Sequence, residues 1–266
     1  MSQILRFIHL ADSHISNDKQ SIVYEANTYD CLKQILKYVS DLPWKPDFIL
    51  HSGDIVNSPD PKAFQLATEL FKPISVPTYF IAGNHDSEAG IWNSLPHAPG
   101  MDLDAFSGTL SYAFSLYGFR FVALDARAPD EIEAHGLMPD DQLSLIDREL
   151  NSGTEPICFF LHFCPVPLDS PWLNREMLLI NGKQVHELFR SKHERIKGVF
   201  IGHLHRSLTA YVDGVLYSCA PSTFCQFAAE PANEKVRLEP HAQPGFHIVT
   251  LTPESTLIKL RTIQIQ

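Results

Sequence analysis

The sequence predicts an α/β domain with a parallel first half and a mixed, partly antiparallel second half. Three observations predict it. Apolar runs alternate with helix-period segments through the first third of the chain. Turn-forming pairs, Tyr117-Gly118 and Asp213-Gly214, interrupt two later apolar stretches. Apolar runs repeatedly end in Asp, Asn or His, several of them next to a glycine.

In order, "ILRFIHL" (4–10) reads as a strand. Residues 22–39 carry Ile22, Val23, Ala26, Tyr29, Leu32, Ile35, Leu36 and Val39, which is helical spacing. "DFILH" (47–51) is a buried strand, "KAFQLATELF" (62–71) a helix closed by Pro73, and "VPTYFIA" (76–82) a third strand. Strand–helix–strand–helix–strand implies a parallel sheet with right-handed crossovers. Residues 109–126 form a hairpin around Tyr117-Gly118. Pro139 and two aspartates open a helix holding Leu143, Ile146 and Leu150. "PICFFLH" (156–162) is a strand, 183–191 a short helix and "IKGVFIG" (196–202) a strand. A hairpin turns at Asp213-Gly214, a Pro- and charge-rich loop covers 228–244, and a final hairpin closes the chain. With no repeat, low-complexity tract or linker, residues 1–266 read as one domain.

Composition sets limits. The chain has 266 residues, 44% hydrophobic and 20% charged, enough apolar content for a large core. Its formal net charge of −10 argues against a stable nucleic-acid complex or an anionic-membrane surface. No apolar run approaches the roughly 20 residues of a membrane span, so no membrane insertion is expected. The five cysteines, Cys31, Cys158, Cys164, Cys219 and Cys225, are odd in number and form no C-x-x-C. They read as free thiols in a reducing compartment, and with no signal peptide the expected location is the cytoplasm. Oligomeric state stays open, a homo-oligomer included.

The ligand-type residues fall at strand ends. The first strand runs into Asp12 and His14, the second into Gly53 and Asp54, the third into Gly83, Asn84, His85 and Asp86. Later strands end at His162 and at "GHLH", which supplies His203 and His205 two residues apart. In open α/β sheets, ligands bind beyond the carboxyl ends of the strands. Glycines at 53, 83 and 202 let the backbone turn sharply and approach a bound group. Taken singly, Asp54 could cap a turn, Gly83-Asn84 could be a plain turn, and His162 could be a satisfied strand-end histidine. Together these bland readings need five coincidences at one sheet edge.

The set offers four imidazoles, two carboxylates and one amide oxygen. Imidazole with carboxylate suits Mn, Fe, Co or Zn rather than Ca or Mg. Seven ligands are too many for one ion with an open position, and suit two ions sharing a carboxylate, about 3.5–4 Å apart. Four positive charges less two aspartates and a bridging hydroxide leave about one, which invites a mono-anionic substrate. The bridging water, its pKa lowered toward about 7, is the expected nucleophile.

With these motifs the sequence resembles the calcineurin-like metallophosphoesterase superfamily. The pattern D-x-H, G-D, G-N-H-D/E, H, G-H-x-H is met by Asp12-Ser13-His14, Gly53-Asp54, Gly83-Asn84-His85-Asp86, His162 and Gly202-His203-Leu204-His205. The resemblance implies a four-layer α/β/β/α sandwich of two mixed sheets flanked by helices, with a binuclear metal site at the strand carboxyl ends. It implies that Asp12, His14, Asp54 and His205 hold one metal. Asn84, His162 and His203 would hold the other, with Asp54 bridging and Mn, Fe or Zn as the metals. It implies that His85 is no ligand but faces the phosphate and protonates or stabilises the leaving oxygen.

Departures narrow the branch. Protein Ser/Thr phosphatases continue G-D with x-x-D-R-G and carry G-N-H-E, whereas this chain reads "GDIVNSPD" and "GNHD". Purple acid phosphatases place a ligating Tyr where Asn57 stands. The "PSTFCQF" (221–227) and "PGFHIVTL" (244–251) segments are similar to bacterial class III cyclic-nucleotide phosphodiesterases and equally to related glycerophosphodiesterases. "LHFCP" (161–165) has Phe163 where relatives often show a second His. The expected activity is hydrolysis of a small phosphodiester, with 3′,5′-cyclic AMP leading and a glycerophosphodiester or broad-specificity activity second. A non-catalytic metal-binding scaffold is disfavoured because every ligand and His85 are present. His9 and His51 read as core or supporting residues. His97, His135, His186, His193, His241 and His247 read as surface or loop residues. Phe224 and Phe227 read as core, with base stacking the alternative. Asp86 either backs an imidazole or caps a turn.

Overall fold

The computed structural model describes residues 4–102, 109–127, 132 and 134–265. The first sheet contains β1 (Leu5–Leu10), β4 (Phe48–His51), β5 (Thr78–Phe80), β12 (Gly245–Leu251) and β13 (Thr256–Thr262) in the order β13-β12-β1-β4-β5. β1, β4 and β5 are parallel, and β12 joins β1 antiparallel, pairing Leu5 with Leu251 and His9 with His247. The second sheet contains β6 (Tyr112–Leu116), β7 (Phe119–Ala123), β8 (Ile157–Phe160), β9 (Ile196–Ile201), β10 (Leu208–Val212) and β11 (Val215–Cys219) in the order β10-β11-β9-β8-β7-β6. Its four inner strands run parallel, and each edge is an antiparallel hairpin.

The sheets face each other through aromatic rings. Phe48 of the first meets Phe121 of the second at 5.2 Å, Phe7 meets Phe200 at 5.1 Å, and Tyr79 stacks on Phe114. Each fully buried ring contributes roughly 1.5–3 kcal/mol relative to exposure. The outer face of the first sheet is covered by α1 (Thr28–Ser40), α2 (Pro61–Phe71) and α3 (Glu88–Ser94). These helices bury Leu32, Ile35, Phe64 and Ile91 against Ile8, Leu10 and Ile49. The second sheet is covered by α4 (Asp140–Asn151) and α6 (Gly182–Ser191), with Phe189 against Phe159 at 4.7 Å. This is the expected four-layer sandwich.

Two expectations are corrected. The helix read over 22–39 begins only at Thr28, because the Asn27 side chain accepts the Asp30 N–H and caps it there. Residues 22–27 instead form a small hairpin of β2 (Ile22–Val23) and β3 (Ala26–Asn27). Its apolar Ile22 faces solvent, so the helical spacing there is coincidental. The short helices α3 and α5 (Pro171–Glu176) carry no periodic signature. His186 and His247 are buried rather than on the surface. His186 reaches the Tyr217 hydroxyl and Asp213, and His247 the Ser207 and Ser218 hydroxyls. These partners are distant in sequence, and they let an imidazole leave water. All five cysteines are free and buried, as expected.

Candidate metal centre

The strand ends are laced together before any side chain is considered. The Ser52 N–H donates to Leu10 C=O, Asp12 N–H to Gly53 C=O, and Ser13 and His14 N–H to Asp54 C=O. Ile81 N–H donates to His51 C=O and Gly202 N–H to His162 C=O. The chain leaves the strands in abrupt turns. Asp12, His14, Asp54, His203 and His205 all adopt positive φ, between 43° and 68°. That conformation is uncommon outside glycine and clusters at functional sites.

Two glycines permit the convergence. Gly53 sits at φ +97°, and a Cβ there would strike His162 Nδ1 and the Gly83 backbone. A Cβ on Gly83 would fall on Asp54 Oδ1. The close approach they allow is between protein segments, which sets where Asp54 lies.

The side chains then meet in two groups. Asp12, His14, Asp54 and His205 bring ligand atoms within 4.8 Å of one another, and so do Asp54, His162 and His203. Asp54 is common to both, and all six residues are buried. Its Oδ2 lies 3.4 Å from His14 Nε2 and 3.3 Å from His162 Nε2. His14 Nε2 and His205 Nε2 are 3.1 Å apart, and His203 Nδ1 and His162 Nε2 3.2 Å. Asn84 lines the same cavity, as does His85.

The electrostatics fit cations. Burial lowers His14 to about 4 and His203 to about 3, and holds His205 well below the usual range. These imidazoles are therefore neutral, with lone pairs to offer. Burial would raise Asp54, but His162, His14 and His85 overcome it and hold its carboxyl well below the usual range. Against its own burial, His162 is raised to about 9 by Asp54. A proton on His162 thus stands where a cation would balance Asp54. Asp12 is pushed up by burial and by Asp54, and its buried Oδ2 has no hydrogen-bond donor. A cation there would relieve both, so the residues present fit two metal ions.

Outer contacts aim the rings. His162 Nδ1–H donates to Ser52 C=O at 2.7 Å, turning Nε2 toward Asp54. His203 Nε2–H donates to Ala134 C=O at 2.8 Å, turning Nδ1 inward. His205 Nδ1 lies 3.3 Å from Cys225 Sγ. Such partners fix tautomer and orientation. Asp86 does not back an imidazole. Its carboxylate accepts N–H groups from Ile55, Val56 and Gly83, tying the Asp54 turn to the Asn84 turn. Burial and Asp54 raise it to about 6. Phe163 sets its ring edge-on to His162 at 4.9 Å and tilted to His203 at 4.7 Å, an apolar wall where a further polar ligand would stand.

His85 belongs to neither group. Its N–H donates to Asp54 Oδ1 at 3.0 Å, and its ring Nδ1–H to Asn57 C=O at 2.9 Å, leaving Nε2 free to face the cavity. The cavity is about 330 Å³. Sequence reasoning missed the carbonyls of Ser52, Asn57 and Ala134, which carry no residue-type signal. It also missed Cys225, for which the His205 contact is visible only in three dimensions, and Tyr24 at the cavity mouth.

Comparison with known proteins agrees with this geometry. The family model described as calcineurin-like phosphoesterase matches residues 5–207. The chain is 24% identical over 257 residues to the 3′,5′-cyclic adenosine monophosphate phosphodiesterase CpdA of Haemophilus influenzae, covering 96% of this chain and 88% of that protein. It is 22% identical over 224 residues to the probable glycerophosphodiester phosphodiesterase GpdQ of Arcobacter nitrofigilis, covering 84% and 80%. A dimetal phosphatase of Danio rerio shares the fold with a TM-score of 0.68 at 18% identity, over 97% of this chain and 99% of that one. Among the described residues no helix is long and apolar enough to cross a membrane. A family match over most of the chain, on a sandwich whose strand ends build a binuclear metal-binding site of aspartates and histidines, means that this protein belongs to the calcineurin-like phosphoesterase family.

Proposed function

We propose that the protein is a metal-dependent phosphodiesterase acting on a small phosphodiester, with 3′,5′-cyclic AMP the leading substrate and a glycerophosphodiester or a broader range the second reading. The observation that carries it is the pair of ligand groups sharing Asp54, with His85 beside them but outside both. In this reading Asp12, His14, Asp54 and His205 hold one cation, and Asn84, His162 and His203 hold a second with Asp54 in common. The metals are Mn, Fe or Zn. When bound, two such ions supply an activated water and neutralise charge on the phosphoryl group.

The chain's own residues do the rest. Asp54 sets the spacing of the two groups. His85, oriented by Asn57, holds a proton at Nε2 for the departing oxygen. Among the described residues no Lys or Arg lines the cavity, so phosphoryl charge would be met at the metal centre and by His85. That supports a mono-anionic diester over a dianionic monoester. The two relatives named above, a cyclic AMP phosphodiesterase and a probable glycerophosphodiesterase, support the same class. Five buried free thiols support a cytoplasmic setting.

The test is kcat/KM for cyclic AMP, cyclic GMP, glycerophosphocholine and bis(p-nitrophenyl) phosphate, measured side by side with Mn. Diester hydrolysis is expected, with cyclic AMP favoured. Protein loaded with two ions that cleaves none of the four would refute the proposal.

A further inference from the structure

The hairpin of β2 and β3 turns through two residues, Tyr24 and Glu25, both at positive φ (44° and 67°). Two-residue hairpins of this kind favour Asn-Gly or Gly-Gly, because a side chain is sterically costly in both positions. This chain puts a tyrosine there, and the tyrosine is 53% exposed. An exposed aromatic on a strained tip points to a task outside the core.

Its surroundings say which. Tyr24 lines the cavity above the metal centre, with Val23, Met177 and Val236. Beneath it the Phe224 ring lies nearly parallel, 6.5 Å away at 17°, and Phe227 meets it edge-on at 5.9 Å. Phe224 itself contacts His14 and His205, and Phe227 stacks flat on His205 at 4.5 Å. Phe224 and Phe227 are buried and serve mainly as backing, although Phe227 also lines the cavity. The continuous aromatic layer leads from the candidate ligands to its most exposed ring, Tyr24.

We infer that Tyr24 is a stacking platform for the organic group of the substrate, and that this group is a flat, neutral ring system such as a nucleobase. The inference rests on the phosphodiesterase reading above and selects between its two substrates. A cationic alcohol such as choline would need an available carboxylate or several open aromatic faces. The carboxylate on this wall, Glu176, already shares an exposed ion pair with the Arg175 guanidinium at 2.9 Å, and Trp172, though it lines the cavity, is buried with its Nε1–H given to Ala228 C=O. A neutral ring needs only a face to lie on.

Base–aromatic stacking corresponds to roughly 5- to 100-fold in affinity. The experiment compares wild type, Tyr24→Ala and Tyr24→Phe, loaded with Mn, on cyclic AMP and glycerophosphocholine, together with equilibrium binding of cyclic AMP. Tyr24→Ala is expected to lower the ratio of kcat/KM for cyclic AMP over glycerophosphocholine by about 5- to 100-fold. The loss should lie mainly in KM, binding should weaken in parallel, and Tyr24→Phe should recover most of it. An unchanged ratio would make the hairpin merely structural and overturn the inference. A loss confined to glycerophosphocholine would assign the face to a quaternary ammonium and overturn it too. Tyr24→Phe as poor as Tyr24→Ala would replace stacking by a hydroxyl contact. If wild type hydrolyses neither substrate, the phosphodiesterase reading fails while the platform is still decided by binding. Equal cyclic AMP affinity in wild type and Tyr24→Ala would then reject it.

Discussion

Five ligand-type residues sit in left-handed backbone, and this has a measurable consequence in the metal-free protein. At His205, φ is 45°. The steric cost of that region for a residue with a Cβ is about 1–2 kcal/mol. Glycine avoids it but loses about 0.5–1 kcal/mol through its freer unfolded chain. The difference favours His205→Gly over His205→Ala by roughly 0.5–1 kcal/mol. Both variants delete the imidazole and differ in the hole by one methyl group, so the comparison reads the backbone against the burial of that group, about 0.8 kcal/mol. At Val236, exposed and outside the left-handed region, the order should reverse, with Gly below Ala by about 0.5–1 kcal/mol. At about 2.1 cal/mol/K per residue, 266 residues give an unfolding entropy near 0.6 kcal/mol/K, so 1 kcal/mol moves Tm by about 2 °C. The assay is thermal or urea unfolding of chelator-treated protein, all four variants side by side. If Gly is less stable than Ala at His205 by the same margin as at Val236, the turn stores no strain and the reasoning fails.

Other outcomes follow from the same geometry. Chelation should abolish phosphodiester hydrolysis and Mn should restore it. By elemental analysis Asp54→Ala should lose both ions and His205→Ala mainly one; an Asp54→Ala protein holding two ions would remove its shared role. His85→Ala should lower kcat by roughly 10²–10⁴-fold with metal content kept. The loss should be greater for cyclic AMP, whose alkoxide needs a proton, than for bis(p-nitrophenyl) phosphate. Equal losses on both would leave His85 as a phosphate-positioning residue. Burial lowers His247 to about 4, against about 6.5 when unfolded. Its contribution to stability is therefore complete above pH 6.5 and lost as pH falls toward 4, about 1.4 kcal/mol per unit. His247→Gln should narrow its stability gap from wild type by about 2 kcal/mol between pH 7 and 5, read by urea unfolding, and a constant gap would contradict the burial argument.

The chain alone determined the alternation of strands and helices, because periodicity and turn chemistry are local properties. It also placed the candidate ligand residues. Asp12, His14, Asp54, His203 and His205 fall at strand ends beside residues that break strands, and an α/β sheet sends all its parallel strand ends to one edge. That is why Asp12, His14, Asp54, His162, His203 and His205, spread over nearly 200 positions, could be grouped from sequence. Tertiary structure decided what depends on distant neighbours. The Asn27 cap is a local signal that outweighs the helical spacing at 22–27, but the packing of Tyr24 over Phe224 that holds the hairpin lies outside any local window. His186 and His247 are buried only because Tyr217, Ser207 and Ser218 arrive to satisfy them. The left-handed turns were equally hidden. A backbone takes such a conformation only when interlocking loops, here tied by Asp86 and by the close approach of Gly83 to Asp54, hold it there.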